Sequence, residues 1–223
     1  MSKKLLLVFF ITMGGINLAG GKATKTGVIE ENVFTDAKYN YQFTAPETWK
    51  IKAEKEPSLL RAILQKTKVE KYGTAMYGYN EIAIPSLLVY VDTTSLSLEN
   101  FCQLLLEKPK RLPNSEEYML KMEFLINSEV AEEKRILVDS LPAKKILMKK
   151  KYFKTVRDPR ERYGPQGDTQ LVEDFLLGII VVFKKENQVY ILHGSGDREI
   201  FKINAEDWLR IISSWKFIKT STN

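Results

Sequence analysis

The chain of 223 residues is poor in the side chains on which most enzymes and metal sites depend. It has one cysteine, Cys102, and one histidine, His193. A single cysteine cannot form an intramolecular disulfide bond, so packing must stabilise the fold. A zinc site of the usual kind needs several His or Cys ligands, which the sequence does not supply. We therefore expect no metal ion and no cofactor.

The sequence also lacks an apolar run of the length that spans a membrane, about 20 residues. The short apolar run at residues 5–13 follows Lys3 and Lys4 and precedes several small residues. This order is typical of a secretory signal peptide, and the small residues favour cleavage after Ala23. We interpret residues 1–23 as a signal peptide. The mature protein is expected to be periplasmic or secreted and to have no transmembrane segment.

Positive charge is in excess, but only slightly. The chain has 34 Lys and Arg residues and 28 Asp and Glu residues, which gives a net charge of +6. Residues 1–23 contain three lysines and no acidic residue, so their removal lowers the net charge from +6 to +3. Such a value does not indicate a nucleic acid as the partner.

The remaining basic character is concentrated in residues 149–163. Seven Lys and Arg residues stand there against two acidic residues, and three aromatic residues are interleaved. Such a segment suits an acidic partner or an anionic membrane, near which each basic residue contributes about 1 kcal/mol. The alternative is an ordinary solvent-exposed strand end and loop. The candidate binding residues are Lys149, Lys150, Lys151, Lys154, Arg157, Arg160, Arg162 and Tyr163.

Cys102 and His193 are the side chains best suited to catalysis. Cys102 lies on the apolar stripe of a predicted helix, where a buried thiol behaves as a small hydrophobic residue. His193 ends a predicted strand, and Ser195 follows two residues later on the same face. That spacing does not bring a base within hydrogen-bond reach of its nucleophile. A hydrolase based on His193 and Ser195 is the weakest alternative, and we expect the protein not to be an enzyme.

Hydrophobic periodicity predicts the secondary structure. We predict a helix over residues 57–71, a second helix capped by Ser97 and a third capped by Asn204, with Asp207 at the reciprocal capping position. Residues 118–126 fit a strand or a helix equally well. Residues 157–170 hold two prolines and two glycines and are predicted to form a loop. The predicted strands cover residues 39–43, 49–51, 82–91, 136–138, 143–148, 172–183, 189–193 and 217–218.

The order of these elements resembles the PsbP-like family. The features that carry the resemblance are Phe43, Pro46 and Trp49 at the start, Leu141-Pro142-Ala143 between two central strands, the hairpin 183–190, and Trp215-Lys216-Phe217 after the last helix. The family is named for the extrinsic lumenal subunit of the photosystem II oxygen-evolving complex. Its fold is shared with a nuclear import factor that binds the GTPase Ran. The resemblance covers most of residues 34–218.

The resemblance implies an α+β fold in which an antiparallel sheet is sandwiched between helices. It places a single domain at residues 34–219, after a polar leader at residues 24–33. Two segments, 53–80 and 151–171, depart from the family pattern and are interpreted as insertions.

The resemblance also implies a non-enzymatic binding or accessory role. We expect an exported protein of the cell envelope that acts through contacts with an envelope protein. The alternative is a peripheral protein that binds anionic lipid or polysaccharide through residues 149–163.

Overall fold

The structure is a computed structural model that describes residues 24–67, 70–72, 81–83, 85–114, 116, 128–157 and 169–218. The predicted signal peptide lies outside these residues, and so does the ambiguous segment 118–126. Within the described ranges the chain forms thirteen strands, two α-helices and one turn of 3-10 helix at Pro109–Arg111.

The helices are α1 (Leu98–Glu107) and α2 (Arg198–Ser213). The strands are β1 (Val28–Glu30), β2 (Val33–Asp36), β3 (Tyr41–Thr44), β4 (Trp49–Ala53), β5 (Leu60–Lys66), β6 (Glu70–Tyr72), β7 (Glu81–Ala83), β8 (Ser86–Thr93), β9 (Glu129–Val138), β10 (Leu141–Arg157), β11 (Thr169–Lys185), β12 (Gln188–Asp197) and β13 (Lys216–Phe217).

Seven strands form one large antiparallel sheet in the order β4-β5-β8-β12-β11-β10-β9. A smaller sheet has the order β1-β2-β3-β13, and β6 pairs with β7. A two-residue turn at Asp139 and Ser140 joins β9 to β10, with φ angles of 45° and 67°. A type I′ hairpin turn requires positive φ at both central positions. The backbone twist of such a turn matches the twist of the flanking strands. The predicted pairing of segments 136–138 and 143–148 is confirmed within these longer strands.

The two faces of the large sheet are covered differently. One face packs against the smaller sheet and α2, and its core contains Tyr41 and Trp215, whose rings stack with centroids 4.1 Å apart. The other face packs against α1, which buries Phe101, Cys102 and Leu105. The α+β class and the antiparallel sheet are therefore confirmed. The prediction of a sheet sandwiched between helices is wrong, because a second sheet shares one face with α2.

The helix predicted at residues 57–71 is also wrong, since residues 60–66 form β5 within the large sheet. Leu60, Ala62 and Leu64 are fully buried or nearly so, but Arg61 between them is buried as well. A bulge at Leu60–Ala62 shifts the register against β8. The buried arginine and the bulge hide the alternation by which a half-buried strand is normally recognised.

Helix α2 begins six residues before the predicted cap. Its N-cap is Asp197, whose Oδ1 accepts a 2.9 Å hydrogen bond from the backbone N–H of Ile200. Asn204 lies inside the helix, donates to the Ile200 carbonyl oxygen and accepts a hydrogen bond of 2.9 Å from Lys66. Asp207 accepts the indole N–H of Trp49 at 2.9 Å. Both polar side chains hold the helix against the sheet instead of capping it.

Candidate functional site

Strands β10 and β11 continue beyond the rest of the large sheet. β9 pairs with β10 only as far as Lys149, and β12 pairs with β11 only from Leu176 onward. Residues 151–157 and 169–175 therefore pair with each other and with no other described strand. We call these two segments the ribbon. Seven residues at about 3.3 Å each make it roughly 23 Å long.

The ribbon exposes large apolar side chains. Phe153 is 66% exposed and Leu171 is 72% exposed. They lie on the same face, because Phe153 is opposite Glu173 and Leu171 is opposite Thr155, two positions further along. A two-stranded hairpin on its own is at best marginally stable in water. Exposed apolar side chains on such an element are typical of a surface that contacts another molecule.

The lysines at the base of the ribbon have neighbours on β11. The Nζ atom of Lys149 lies 3.7 Å from the centroid of the Phe175 ring. The Nζ atom of Lys151 lies 3.5 Å from Oε1 of Glu173, and both side chains are about half exposed. At exposed sites such cation–π and ion-pair contacts each contribute about 0.5–1 kcal/mol or less. They orient these lysines without neutralising the basic strand.

The structure places part of the predicted binding set on one strand and leaves the rest undescribed. Lys149, Lys150 and Lys151 lie on β10, and the positions of Lys154 and Arg157 follow further along it. Arg160, Arg162 and Tyr163 lie outside the described residues. Alternation along the strand assigns positions 149, 151 and 157 to one face and positions 150 and 154 to the other. Binding by these residues stays a prediction.

The sequence analysis missed the ribbon because it ended the strands too early. The prolines and glycines of residues 157–170 predicted a loop, yet residues 157, 169 and 170 are paired within β10 and β11. The predicted strand 172–183 is confirmed but extends further at both ends. A signal was available in the aromatic and β-branched residues between positions 152 and 156, which favour a strand and continue the predicted strand 143–148.

The two reactive side chains are buried. Cys102 is 1% exposed, and its burial raises the pKa of the thiol to about 12. His193 is 3% exposed, and its burial lowers the pKa of the imidazole to about 4. Ser195 follows on the same strand, opposite Gly178 of β11 and Ser86 of β8. The thiol and the imidazole are therefore both enclosed in the fold, away from any substrate in solution.

A polar cluster centred on Arg61 lies on the opposite side of the core from α1. Arg61 is fully buried, and its guanidinium contacts Asp36, Glu56 and the carbonyl oxygens of Ser58 and Thr26. An open cavity of about 620 Å³ borders the cluster and is lined mainly by residues 24–29. The hydrogen bonds of Arg61 all end on protein atoms, so this cluster fixes the N-terminal segment to the domain.

No three His, Cys, Asp or Glu side chains come together as a cation site in the part of the chain that the structure describes. The described helices are also too short or too polar to cross a bilayer.

Comparison with known proteins finds likeness in structure only. No protein-family model matches the chain, and no curated protein matches its sequence. Cyanobacterial PsbP (CyanoP) from Synechocystis sp. PCC 6803 is similar in structure, with a TM-score of 0.47 and 10% identity over 86% of this chain and 95% of that chain.

Two further solved structures are similar to the chain. LpqN, involved in cell envelope biogenesis of Mycobacterium tuberculosis, has a TM-score of 0.43 and 10% identity over 80% of this chain and 83% of that chain. The Saccharomyces cerevisiae Ran-binding protein Mog1p has a TM-score of 0.43 and 7% identity over 87% of this chain and 98% of that chain. At these identities the likeness concerns the fold alone. The chain is thus similar to solved proteins that share the PsbP-like fold, as the resemblance in its sequence predicts.

Proposed function

We propose that this chain is an exported, non-enzymatic binding protein of the cell envelope that contacts a partner protein through the ribbon. The observation that carries the proposal is the pair Phe153 and Leu171, both more than half exposed on one face of a two-stranded extension. An element of this kind adds little to the stability of the domain. Its exposed apolar side chains and lysines suit a surface that is covered when a partner binds.

Burial of the reactive side chains supports a role in binding. A catalytic thiol needs an accessible, electropositive setting that lowers its pKa, whereas burial raises the pKa of Cys102. A general base must reach the proton that it abstracts, whereas His193 is enclosed on the α1 side of the sheet with Ile191 and Val189. The ribbon, in contrast, exposes Phe153 and Leu171 to solvent.

An anionic membrane is the second candidate partner, because exposed Phe153 and Leu171 beside lysines also suit a lipid interface. We favour a protein, because a β-ribbon offers directional main-chain groups as well as side chains, and a polypeptide can match these groups whereas a lipid surface cannot.

A photo-crosslinking experiment tests the ribbon as the contact surface. Benzoylphenylalanine replaces Leu171 in one variant and Leu137 in another, and both are expressed in the native host. The two leucines are a matched pair, since each is 72% exposed but Leu137 lies on β9, outside the ribbon. We expect one discrete protein adduct from position 171 and none of that mass from position 137. Identical adducts from both positions, or none from either, would contradict the proposal.

Sedimentation with vesicles separates the two partner classes. Vesicles of one part phosphatidylglycerol to three parts phosphatidylcholine are mixed with the protein and its Phe153→Ser variant. A protein partner predicts no co-sedimentation at 150 mM salt. Co-sedimentation that the Phe153→Ser variant loses, without a protein adduct from position 171, would assign the ribbon to membranes instead.

Export is tested on the N-terminus of the protein recovered from the envelope fraction. Cleavage after Ala23 predicts that its sequence begins at Thr24, the first described residue. The carbonyl oxygen of Thr24 accepts a 2.8 Å hydrogen bond from the backbone N–H of Glu56. The first residue of the mature chain would therefore already be hydrogen-bonded to the domain. Recovery from the cytoplasmic fraction with residues 1–23 still attached would overturn export.

A further inference from the structure

We infer that docking of the N-terminus onto the domain closes the signal-peptide cleavage site, so that the chain must be cleaved before its domain finishes folding. It rests on the proposed function, because it concerns how the exported chain matures. The segment involved is residues 24–30, which we call the N-terminal strap. The strap begins directly after Ala23, the predicted cleavage position.

The first three residues of the strap pair with residues 54–56. The carbonyl oxygen of Thr24 accepts a 2.8 Å hydrogen bond from the backbone N–H of Glu56. The backbone N–H of Thr26 donates a hydrogen bond of 2.9 Å to the carbonyl oxygen of Glu54. The residues between these pairs form an antiparallel bridge. The backbone that directly follows the cleavage position is therefore part of the folded domain.

Arg61 fastens the strap at Thr26. The guanidinium of Arg61 donates a 3.0 Å hydrogen bond to the carbonyl oxygen of Thr26, and Oγ1 of Thr26 donates to the carbonyl oxygen of Arg61. Both residues are buried, Arg61 completely. Withdrawal of the strap would remove these partners from a buried charged group, which is costly because buried polar groups need their hydrogen bonds. Opening of the strap is therefore opposed by the interior as well as by backbone pairing.

The strap also approaches the core closely at Gly27. A Cβ atom there would lie 2.5 Å from Cζ of Phe34 and 2.6 Å from the carbonyl oxygen of Thr35. Phe34 is fully buried, and Thr35 belongs to β2, with which the strap pairs through β1. Only glycine lets the two backbones come this close. An alanine at this position should therefore displace the strap.

A protease acts on backbone that is free of the fold. Hydrolysis of the peptide bond between Ala23 and Thr24 by a signal peptidase consumes one water molecule and leaves a carboxylate on Ala23 and an ammonium group on Thr24. Susceptibility to proteolysis depends on the burial and hydrogen bonding of the backbone at the cut. Because pairing begins at Thr24 itself, cleavage of a folded precursor is limited by the opening of the strap.

This dependence constrains the route of export. A precursor that folds before translocation presents a docked strap to the peptidase and keeps its signal peptide. A precursor that crosses the membrane unfolded is cut before the strap docks. Residues 1–23 contain Lys3 and Lys4 and no arginine, so they lack the twin-arginine motif that directs folded proteins to a separate export route. The charge pattern of the signal peptide thus agrees with export in the unfolded state.

Cleavage of the full precursor, residues 1–223, tests the inference. The precursor is unfolded in urea and diluted into detergent, and purified bacterial signal peptidase is added either at once or after refolding is complete. We expect the refolded precursor to be cut at least tenfold more slowly, because its strap is docked when the peptidase arrives. Intact mass spectrometry measures the fraction of each sample that is cut after Ala23.

Two glycine variants of the refolded precursor separate the strap from the rest of the fold. Gly27→Ala should be cut as fast as the freshly diluted precursor. Gly196→Ala is the matched control, since its Cβ atom would also lie 2.5 Å from a buried side chain, that of Ile200. Gly196 lies on β12 and Ile200 on α2, so this clash leaves the contacts of the strap in place. Gly196→Ala should be cut as slowly as the unsubstituted precursor, and circular dichroism checks that both variants fold.

Thr26→Val tests the same segment with a smaller change. It removes the hydroxyl that donates to the carbonyl oxygen of Arg61 and keeps the shape of the side chain. The refolded variant should be cut at least threefold faster than the unsubstituted precursor. Thr67→Val is its control and should leave the rate unchanged, because the hydroxyl of Thr67 donates to the carbonyl oxygen of Thr48, outside the strap.

Two results would overturn the inference and leave export in place. Equal cutting of the refolded and the freshly diluted precursor would show that the docked strap does not protect the bond. Equal acceleration in Gly196→Ala would assign the effect to unfolding of the whole domain. A precursor that is not cut after Ala23 in any sample, by a peptidase that cuts a reference precursor, would remove the predicted signal peptide and the inference with it.

Discussion

The Nε atom of Arg61 donates a 2.8 Å hydrogen bond to Oδ2 of Asp36, and neither side chain is exposed to solvent. The guanidinium also donates to Glu56 at 2.7 Å and to the carbonyl oxygens of Ser58 and Thr26. Burial alone would lower the pKa of Arg61, but its hydrogen bonds with Glu56 and Asp36 outweigh that effect and raise it. The charge is therefore retained in the interior and ties β2, β5 and the N-terminal segment together.

Removing one member of this pair should destabilise the fold strongly. Arg61→Met leaves the Asp36 carboxylate buried without its cation, which costs about 3–5 kcal/mol in comparable buried pairs. The double variant Arg61→Met with Asp36→Asn removes both charges and keeps Oδ1 as acceptor for the backbone N–H groups of Lys38 and Tyr39. It should be more stable than Arg61→Met alone. Urea unfolding at pH 7 measures both free energies of unfolding.

The control for this prediction is a pair on the surface. The Nζ atom of Lys52 lies 3.0 Å from Oε1 of Glu54, and the lysine side chain is 66% exposed. Exposed ion pairs contribute about 0–1 kcal/mol, so Lys52→Met should hardly change the free energy of unfolding. Equal losses in Lys52→Met and Arg61→Met would contradict the special role assigned to the buried pair.

His193 should make the stability of the fold depend on pH. Burial lowers the pKa of its imidazole from 6.5 to about 4, so the unfolded chain takes up a proton at a higher pH than the folded chain. The stabilisation is fully present above pH 6.5 and is lost as the pH falls toward 4. A shift of this size corresponds to about 3 kcal/mol.

The His193→Gln variant isolates this effect, because other groups titrate equally in both proteins. The difference in unfolding free energy between the unsubstituted protein and His193→Gln should be constant above pH 6.5 and should fall between pH 6.5 and pH 4. Urea titrations at half-unit pH intervals measure it. Two parallel pH profiles would show that His193 keeps its ordinary pKa in the folded state.

Short sequence patterns correctly predicted a helix cap, a half-buried strand and a buried cysteine. Ser97 caps α1 as predicted, since its side chain accepts a hydrogen bond from the backbone N–H of Asn100. Trp49 and Ile51 alternate with exposed lysines in β4, as the sequence indicates. The burial of Cys102 also follows from its place on the apolar stripe of a helix. In each case the pattern on which the prediction rests lies within a few residues along the chain.

Partners far apart in sequence account for what the sequence did not predict. Arg61 is buried because Asp36 lies 25 residues away in sequence and beside it in space. Asn204 lies inside a helix because Lys66 reaches it from β5. The bounds of the ribbon depend on where the described pairing with β9 and β12 ends, which no residue within β10 signals. The ribbon therefore became visible only with the strand pairing.

Gly194 should not tolerate a side chain. A Cβ atom at this position would lie 2.9 Å from Cδ2 and Cε2 of Trp208, whose ring is fully buried. The ring belongs to the packed core between α2 and the sheet, so Gly194→Ala must displace it, at a cost of about 1–3 kcal/mol. Thermal unfolding measures the loss. Ser195→Ala, one residue further along β12, is the control and should remain close to the unsubstituted protein.

The thiol of Cys102 should react only when the fold opens. Its burial beside Phe101 and Leu105 raises the pKa to about 12, so at pH 8 very little thiolate forms and reagents do not reach it. We expect Ellman's reagent to label the native protein at the rate of unfolding and to label it immediately in 6 M guanidinium chloride. The destabilised Gly194→Ala variant should react faster than the unsubstituted protein, in proportion to the increase in its rate of unfolding. Immediate labelling of the native protein at pH 8 would show that Cys102 is accessible and would reopen the case for a reactive thiol.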